Sequence, residues 1–200
     1  MSSRIFVLRH GETEFNAEKK LQGHCNSPLT EKGTAQAQSV GAVLKAYLQG
    51  SHVSVYSSSL GRALQTAHIV CEEIGYPSSE IIEEPRLKEF SLGDWEQRSI
   101  PSLVSENPYL LEKSDWYLSA PNAETYDDVK ARLNAWLSEL PEGEDVVVVS
   151  HGLTGIVLRG VLLGLTYEEV WQQDLPQDAF FIVEKGSVTR VNCTVAQPIV

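Results

Sequence analysis

The sequence Ile5-Phe6-Val7-Leu8-Arg9-His10-Gly11-Glu12 decides the fold, because a short apolar run is followed at once by charged residues and a glycine. A continuous run of large apolar residues is typical of a strand buried on both faces, the kind found in parallel sheets. The same order recurs near the other end of the chain, where four valines at 146–149 precede Ser150-His151-Gly152. A third run that is typical of a strand, Val53-Ser54-Val55-Tyr56, precedes Ser57-Ser58. Each run predicts a strand that ends in a loop carrying polar groups.

Helical patterns follow these strands. Apolar residues recur at helical spacing after Thr30 and after Leu60, and Gly50 and Gly75 lie where these two helices should end. The other predicted elements are a helix opened by Thr125 and ended by Pro141 and Gly143, a helix at 153–163, a helix opened by the capping box Thr166-x-x-Glu169, a short strand at 81–82, and a terminal strand pair at 179–183 and 188–195. Strands that alternate with helices predict a three-layer α/β/α fold, in which a mostly parallel sheet has helices on both faces.

The chain predicts one domain. Its 200 residues contain no internal repeat and no low-complexity linker, so residues 1–200 are assigned to a single domain. The segment at about 91–122 breaks the regular pattern with prolines and short helical pieces, which predicts a cap-like insertion lying over the sheet. Its aromatic residues Trp95, Trp116 and Tyr117 could line a substrate pocket or belong to the core, and the core is the favoured alternative.

The charge balance narrows the expected partners. Sixteen Lys and Arg against 27 Asp and Glu give a formal net charge of −11. Such a surface repels nucleic acid and anionic membranes, so neither is an expected partner. A local basic pocket can still bind a small phosphorylated substrate or inorganic phosphate, because contacts at short range override the field of the whole chain.

The cysteines and the first residues of the chain predict a cytoplasmic protein. Cys25, Cys71 and Cys193 are odd in number and widely spaced, which is typical of a reducing compartment rather than of a disulfide framework or a zinc site. Residues 1–8 do not resemble a targeting signal, and no apolar stretch approaches the length of a membrane span. The oligomeric state stays open, although the terminal strand pair offers a sheet edge through which two copies could pair.

Cationic and titratable groups collect at three junctions between a strand and a helix. Arg9 and His10 follow the first strand, Arg62 lies in the opening turn of the helix after the second, and His151 follows the valine run. Ligands of an open parallel sheet bind beyond the carboxyl ends of its strands, so these four side chains should meet in one crevice. Convergent arginines match the geometry of a phosphate, and helix N-termini favour an anion. The junctions therefore predict an anion site.

Other interpretations of these residues stay open at this point. Gly11 and Gly152 are expected to let the backbone approach a ligand closely. Arg62 taken alone could be a solvated helix residue, and Glu89 does not stand out among 27 acids. Two histidines and a glutamate could bind zinc, but no short ligand spacing such as H-x-x-x-H supports that use. The remaining histidines are interpreted as surface or core residues: His24, His52 and His68.

Four blocks of sequence, in order along the chain, carry a resemblance to a known family. They are Arg9-His10-Gly11-Glu12-Thr13 with Asn16, Leu21-Gln22-Gly23, Pro28-Leu29-Thr30 and Gly33; Ser57-Ser58-x-x-x-Arg62-Ala63-x-x-Thr66-Ala67; Leu87-x-Glu89-x-x-x-Gly93-x-Trp95-Glu96; and Val149-Ser150-His151-Gly152. Together they span nearly the whole chain and resemble the histidine phosphatase superfamily, also called the phosphoglycerate-mutase-like superfamily. The resemblance implies a phosphoglycerate-mutase-like fold.

The resemblance also implies a role for each candidate residue. His10 would be the nucleophile that attacks phosphorus and forms a phosphohistidine, and it must be neutral to attack. Arg9, Arg62 and His151 would hold the phosphoryl oxygens, and Glu89 would donate a proton to the leaving oxygen and later accept one from water. The remaining substrate-binding residues would be Asn16, Gln22, Gly23 and Gly152. Neither a metal nor a cofactor is required by this chemistry.

Departures from the family pattern separate two enzymatic functions. Cofactor-dependent mutases of the family carry Glu-Arg-His-Tyr-Gly at the acid, where this chain has Glu89-Phe90-Ser91-Leu92-Gly93. The groups that would help hold a second anion are therefore missing after Glu89. The expected function is a metal-independent phosphomonoesterase acting on a small phosphorylated metabolite. The alternatives are a phosphoglycerate mutase and a non-catalytic phosphate-binding protein, which would be expected to have lost His10 or Glu89.

Overall fold

The computed structural model describes residues 3–194. Its strands are β1 Ile5–Arg9, β2 Val53–Ser57, β3 Ile82–Glu83, β4 Asp145–Ser150, β5 Ala179–Glu184 and β6 Ser187–Asn192. They form one sheet in the order β3-β2-β4-β1-β5-β6. The first four strands are parallel to one another, whereas β5 is antiparallel to β1 and β6 is antiparallel to β5. The predicted terminal strand pair thus forms the antiparallel edge of a mostly parallel sheet.

Seven α-helices accompany the sheet in the described part of the chain. They are α1 Glu14–Ala17, α2 Glu31–Tyr47, α3 Gly61–Ile74, α4 Ile100–Glu106, α5 Tyr126–Leu137, α6 Gly152–Leu163 and α7 Tyr167–Val170. Threonine side chains cap α2, α5 and α7 by accepting a backbone N–H in the first turn, as their spacing predicts. Gly75 (φ +77°) and Gly164 (φ +67°) end α3 and α6 in the left-handed conformation that glycine adopts without strain.

Alternate side chains of β1 enter two separate cores. Phe6 and Leu8 pack with α2 and α3 on one face of the sheet, and Val7 packs with α5 and α6 on the other. The valines of β4 alternate in the same way, with Val147 and Val149 on the first face. All six residues of β4 are buried, because helices cover both faces of this central strand. The predicted three-layer α/β/α fold is confirmed.

Several predicted boundaries were wrong by a few residues. The short third strand is Ile82–Glu83, one residue later than predicted. Helix α5 ends at Leu137, because the next amides, of Glu139 and Leu140, bond to carbonyls three residues back instead of four. Strand β6 ends at Asn192, which lies opposite the first residue of β5. The predicted last strand residue, Val195, lies outside the described residues, as do Met1 and Ser2.

The segment at 91–122 consists of α4 and short 3₁₀ turns. Leu103, Leu110 and Trp116 bury their side chains in the core that also contains α5 and α6. The ring of Trp116 stacks on Tyr117 with 3.9 Å between their centroids. Trp116 is therefore a core residue, in line with the favoured alternative, and Tyr117 is the neighbour that extends toward the site.

Within residues 3–194, no helix combines the length and the apolar character needed to cross a membrane.

Candidate functional site

The parallel pairing of β1 with β4 brings the two predicted site histidines together. Arg9 pairs with Ser150 in register, so His10 and His151 follow adjacent strand ends. The backbone N–H of His10 donates to the Ser150 carbonyl at 3.0 Å, and the two imidazole centroids lie 5.3 Å apart. The neighbouring strand β2 leads into α3, which carries Arg62. The three junctions therefore converge at the carboxyl end of the sheet, as predicted.

His10 is held as a neutral imidazole with one unprotonated nitrogen. Its side chain is buried, and Nδ1 lies 2.7 Å from the Gly11 carbonyl oxygen, which can only accept a hydrogen bond. Nδ1 therefore carries the hydrogen, and Nε2 keeps its lone pair, which accepts the N–H of Arg62 Nε at 3.3 Å. Burial and the nearby charges of Arg62 and Arg9 lower the His10 pKa well below 6.5. This is the protonation state that a nucleophilic histidine needs.

His151 presents a second buried imidazole beside the first. Its Nε2 lies 2.7 Å from the Ser58 hydroxyl, and that hydroxyl accepts the Leu60 N–H, so the hydroxyl proton is available to His151. The other ring nitrogen, Nδ1, is then a donor, and it is buried without a hydrogen-bond partner. Arg9 Nε is unpaired and buried in the same way. Two unpaired buried donors beside the nucleophile suit an anion such as a phosphoryl group.

Arg62 is a buried cation with a fixed orientation. Only 1% of its surface is exposed, so it is not the solvated helix residue that the sequence alone allowed. Its guanidinium donates to the carbonyls of Gly23 (2.8 Å) and Cys25 (2.7 Å). Burial lowers the Arg62 pKa to about 10, which leaves the group charged at neutral pH. The arginine thus supplies positive charge directly beside Nε2 of His10.

The turn at Gln22-Gly23 supports Arg62 from the opposite side. Gly23 has φ +54°, and a Cβ atom there would lie 2.3 Å from the Glu96 carboxylate, so only glycine fits. That carboxylate accepts the backbone N–H groups of His24 (2.9 Å) and Leu92 (3.1 Å). Gln22 is buried, and its side-chain oxygen accepts the Ser27 hydroxyl at 3.0 Å. The turn lines the cavity and also orients the arginine.

Asn16 lies at the edge of the same cavity. Its side-chain oxygen accepts the N–H of Thr13 (3.2 Å) and the amide of Gln177 (3.0 Å). The second hydrogen of Gln177 reaches the His10 carbonyl at 3.3 Å. With its oxygen occupied, Asn16 has only its amide N–H groups left for a ligand, and the donor role expected for it stays a prediction.

The carboxyl group of Glu89 lies against the N-terminus of α6. Its Oε1 accepts the N–H groups of Phe90 (3.0 Å) and Thr154 (2.9 Å), and the Thr154 hydroxyl lies between this oxygen (3.0 Å) and the Lys88 carbonyl (2.8 Å). Its Oε2 accepts only the N–H of Leu153, at 3.1 Å. The residue is 8% exposed and lines the same cavity as His10. One oxygen is therefore saturated with donors, and the other is free to exchange a proton.

The structure corrects one expectation about the anion site and limits another. At the helix N-termini, Leu153 and Thr154 of α6 donate their backbone N–H groups to Glu89, and Arg62 of α3 donates its own to Asn26, so these three amides are not available to a ligand. Gly11 does not face a ligand, since a Cβ there would lie 2.2 Å from the Gly33 carbonyl. Gly11 instead permits close packing of the α2 start against β1. The anion site is built chiefly from side chains.

A cavity of about 210 Å³ joins these groups. Of the predicted site residues, all except His151 line it, and His151 lies against a smaller adjacent cavity that shares Arg9 and Gly152. The lining residues to which the sequence assigned no role are Lys19, Lys20, Leu92, Ile100, Leu153 and Leu175, together with Leu21, known only as part of a family block, and Tyr117, which was left open. The pair Lys19-Lys20 lies between Asn16 and Leu21 of the first block, and two adjacent lysines at this place in an acidic chain were a signal that could have revealed them.

Among residues 3–194, no three His, Cys, Asp or Glu side chains are grouped so as to hold a metal ion.

We expect the two buried histidines to make the protein sensitive to mild acid. Both pKa values lie well below 6.5 in the folded state, chiefly because of burial, so below pH 6.5 the unfolded chain binds protons that the folded chain does not. Between pH 6.5 and about pH 5 each histidine should lower the free energy of unfolding by up to about 1.4 kcal/mol per pH unit. Urea unfolding across this range measures the slope. The variant His151→Gln should lose about half of it, and an unchanged slope would contradict the assignment.

Comparison with known proteins agrees with the geometry. The chain matches the family model of the histidine phosphatase superfamily (branch 1) over residues 5–193. A relative from Photorhabdus laumondii, named "Probable phosphoglycerate mutase GpmB", is 38% identical over 168 residues, which cover 81% of this chain and 75% of the relative.

Two solved structures of phosphatases share the fold. The alpha-ribazole phosphatase from Shigella flexneri is 28% identical, with a TM-score of 0.76 and 98% of both chains covered. The mycobacterial glucosyl-3-phosphoglycerate phosphatase in complex with VO3 is 26% identical, with a TM-score of 0.79 and coverage of 96% of this chain and 100% of that one. The chain belongs to the histidine phosphatase superfamily, branch 1.

Proposed function

We propose that the protein is a metal-independent phosphomonoesterase that hydrolyses a small phosphorylated metabolite through a phosphohistidine at His10. The observation that carries the proposal is the state of His10: Nδ1 is hydrogen-bonded to the Gly11 carbonyl, and Nε2 lies beside the buried Arg62 guanidinium. A neutral nucleophile surrounded by cations is suited to attack a phosphate dianion. The arginines supply the charge that stabilises the transition state.

In the first step, His10 Nε2 attacks phosphorus and the bond from phosphorus to the ester oxygen breaks. Arg9, Arg62 and the Nδ1–H of His151 hold the phosphoryl oxygens. Glu89 gives a proton to the leaving oxygen from Oε2, the oxygen with a single hydrogen-bond partner. The products are the free alcohol, the phosphohistidine and an ionised Glu89.

In the second step, water attacks the phosphohistidine and the bond between phosphorus and nitrogen breaks. Ionised Glu89 accepts the proton from the water, which regenerates the protonated acid for the next cycle. Inorganic phosphate leaves, and His10 returns to its neutral form. The same carboxyl group therefore serves as acid and as base, and every proton is accounted for.

The lining of the cavity supports a small substrate. Its volume of about 210 Å³ leaves room for a phosphoryl group and a leaving group of modest size. Apolar side chains of Leu92, Ile100 and Leu175 form the walls, and Tyr117 adds a half-buried phenol. The two solved phosphatases compared above support hydrolysis as the reaction.

The free thiols support a cytoplasmic location for this activity. Cys25, Cys71 and Cys193 form no disulfide. Unpaired cysteines are typical of proteins kept in a reducing compartment.

A phosphoglycerate mutase is the second candidate. Lys19 and Lys20 line the cavity and could hold a carboxylate, and the Photorhabdus relative bears a mutase name. Against a mutase, the two arginines that flank the acid motif already have partners: Arg86 is paired with Glu84 and Glu139, and Arg98 with Glu106. The phosphatase is therefore the better-supported candidate.

The test is a panel of aryl and alkyl phosphates, assayed by release of inorganic phosphate in the presence of EDTA. We expect turnover of several esters and no loss of rate with the chelator. The variant Glu89→Gln should slow alkyl phosphates by roughly 10²-fold or more and aryl phosphates much less, since only the alkoxide leaving group needs a proton.

Two outcomes would contradict this account. Loss of activity in EDTA with recovery on addition of zinc would mean that the two histidines bind a metal ion. Equal slowing of alkyl and aryl esters by Glu89→Gln would mean that the carboxyl group serves the structure or the charge balance instead of proton transfer. His52→Ala is the control, because His52 is exposed and precedes the start of β2, whereas the site lies at the carboxyl ends of the strands.

A further inference from the structure

The side chain of Arg132, in α5, binds two backbone carbonyls of the loop that carries Glu89. Its Nη1 donates to the Arg86 carbonyl, and its Nη2 lies 3.3 Å from the carbonyl of Glu89 itself. The guanidinium thus spans two carbonyls of one loop from the outside of the site. Its position within a regular helix pattern gave no sign of this contact.

Glu124 completes the contact and fixes Arg132 in turn. Its Oε1 accepts Arg132 Nε at 2.8 Å, and its Oε2 accepts Nη2 at 3.0 Å and the Ser91 N–H at 3.3 Å. The backbone N–H of Glu124 also donates to the Ser91 carbonyl at 2.9 Å. The two side chains are only 17% and 19% exposed, so a forked ion pair largely shielded from water holds the loop on both sides of Glu89.

We propose that the Arg132–Glu124 pair is a positioning device for the general acid–base Glu89, an inference that rests on the proposed function. The Glu89 carboxyl group accepts three backbone hydrogen bonds from helix α6 and its own loop, and these set which oxygen faces the cavity. A backbone shift of about 1 Å breaks such bonds, and misplacement on that scale costs about 10²-fold in rate.

The Glu89 carbonyl has a second hydrogen-bond partner besides Arg132. His24 Nε2 lies 2.9 Å from the same Glu89 carbonyl. When Arg132 is removed, His24 still holds the carbonyl, so the loop should loosen without unfolding. His24 also lies between Gly23 and Cys25, whose carbonyls hold Arg62, and this connects the position of the acid to that of the phosphate-binding arginine.

The test compares Arg132→Ala and Arg132→Lys with the control Arg98→Ala. This control removes an arginine side chain that pairs with Glu106 instead of the loop around Glu89. Arg132→Ala should slow alkyl phosphates at least about tenfold more than aryl phosphates, because proton transfer is the affected event. Arg132→Lys should show the same split at smaller size, since a single ammonium cannot span both carbonyls and Glu124. Arg98→Ala should slow neither class. Equal slowing of both ester classes by Arg132→Ala would overturn the proposal and reduce the pair to a structural ion pair.

A readout without substrate separates this inference from the proposed function. Exchange of the Leu153 and Thr154 amide hydrogens reports the Glu89 contact directly, because both amides donate to its carboxylate. Their exchange should become at least about tenfold faster in Arg132→Ala and stay unchanged in Arg98→Ala. Unchanged exchange in Arg132→Ala overturns the positioning role even if the enzyme is a phosphatase. Absence of ester hydrolysis by the unmodified protein would overturn the proposed function and leave the exchange experiment to decide the positioning role.

Discussion

Replacing His10 with alanine should abolish phosphate release, with a loss of roughly 10⁴-fold or more, because the variant has no nitrogen to attack phosphorus. The acid-labile phosphoenzyme that forms after mixing with substrate and quenching in alkali should disappear with it. The fold should persist, since the imidazole makes one strong contact to its own neighbour, the Gly11 carbonyl, and packs in no hydrophobic core.

His68→Ala is the matched control for this experiment. His68 lies on α3, exposed on the helix that carries Arg62, so its loss should leave both turnover and phosphoenzyme unchanged. Circular dichroism and urea unfolding of both variants show whether they are folded. Substantial turnover by folded His10→Ala without phosphohistidine would show that His10 is not the nucleophile.

Isomerisation of 3-phosphoglycerate should be negligible, and release of inorganic phosphate from it should be slow at most. A mutase must retain its phosphorylated intermediate and exclude water while the sugar acid reorients, which requires firm contacts to a second anionic group. The residues after Glu89 are Phe90, Ser91 and Leu92, and none of them is cationic. The guanidinium of Arg132, which lies behind this loop, is occupied by Glu124.

Phosphorus NMR of the reaction with 3-phosphoglycerate follows both products at once. Addition of bisphosphoglycerate should change neither. Lys20→Ala should raise the KM for this acid more than the KM for a neutral alkyl phosphate if the cavity lysines bind the carboxylate. Rapid formation of the 2-isomer that depends on the bisphosphate would replace the phosphatase with the mutase.

The sequence predicts that the two histidines meet at one site, but it does not predict the strand order. Residues 5–8 and 146–149 are apolar throughout because β1 and β4 are covered on both faces, so their presence in a parallel sheet is readable from composition alone. The adjacency of His10 and His151 follows once these strands pair in register. The placement of β4 between β1 and β2 has no local signal, because it depends on packing across the whole chain.

The parts that the sequence did not reveal are long-range contacts. Glu89 is one acid among 27, and only the family resemblance singled it out. Two of the backbone N–H groups that it accepts belong to Leu153 and Thr154 of α6, more than sixty residues along the chain. Gly11 illustrates the opposite error, since its freedom serves packing against Gly33 and not a ligand. Arg132 looked like an ordinary helix residue because its partners, the carbonyls of Arg86 and Glu89, carry no side-chain signature.

The stereochemical course at phosphorus tests the central claim most directly. The substrate is a phosphorothioate ester made chiral at phosphorus with oxygen isotopes, and it is hydrolysed in isotopically labelled water. Transfer to His10 and then to water comprises two in-line displacements, and each inverts the configuration. The account therefore predicts net retention in the released thiophosphate. Net inversion would show a single direct attack by water and would contradict the phosphohistidine mechanism.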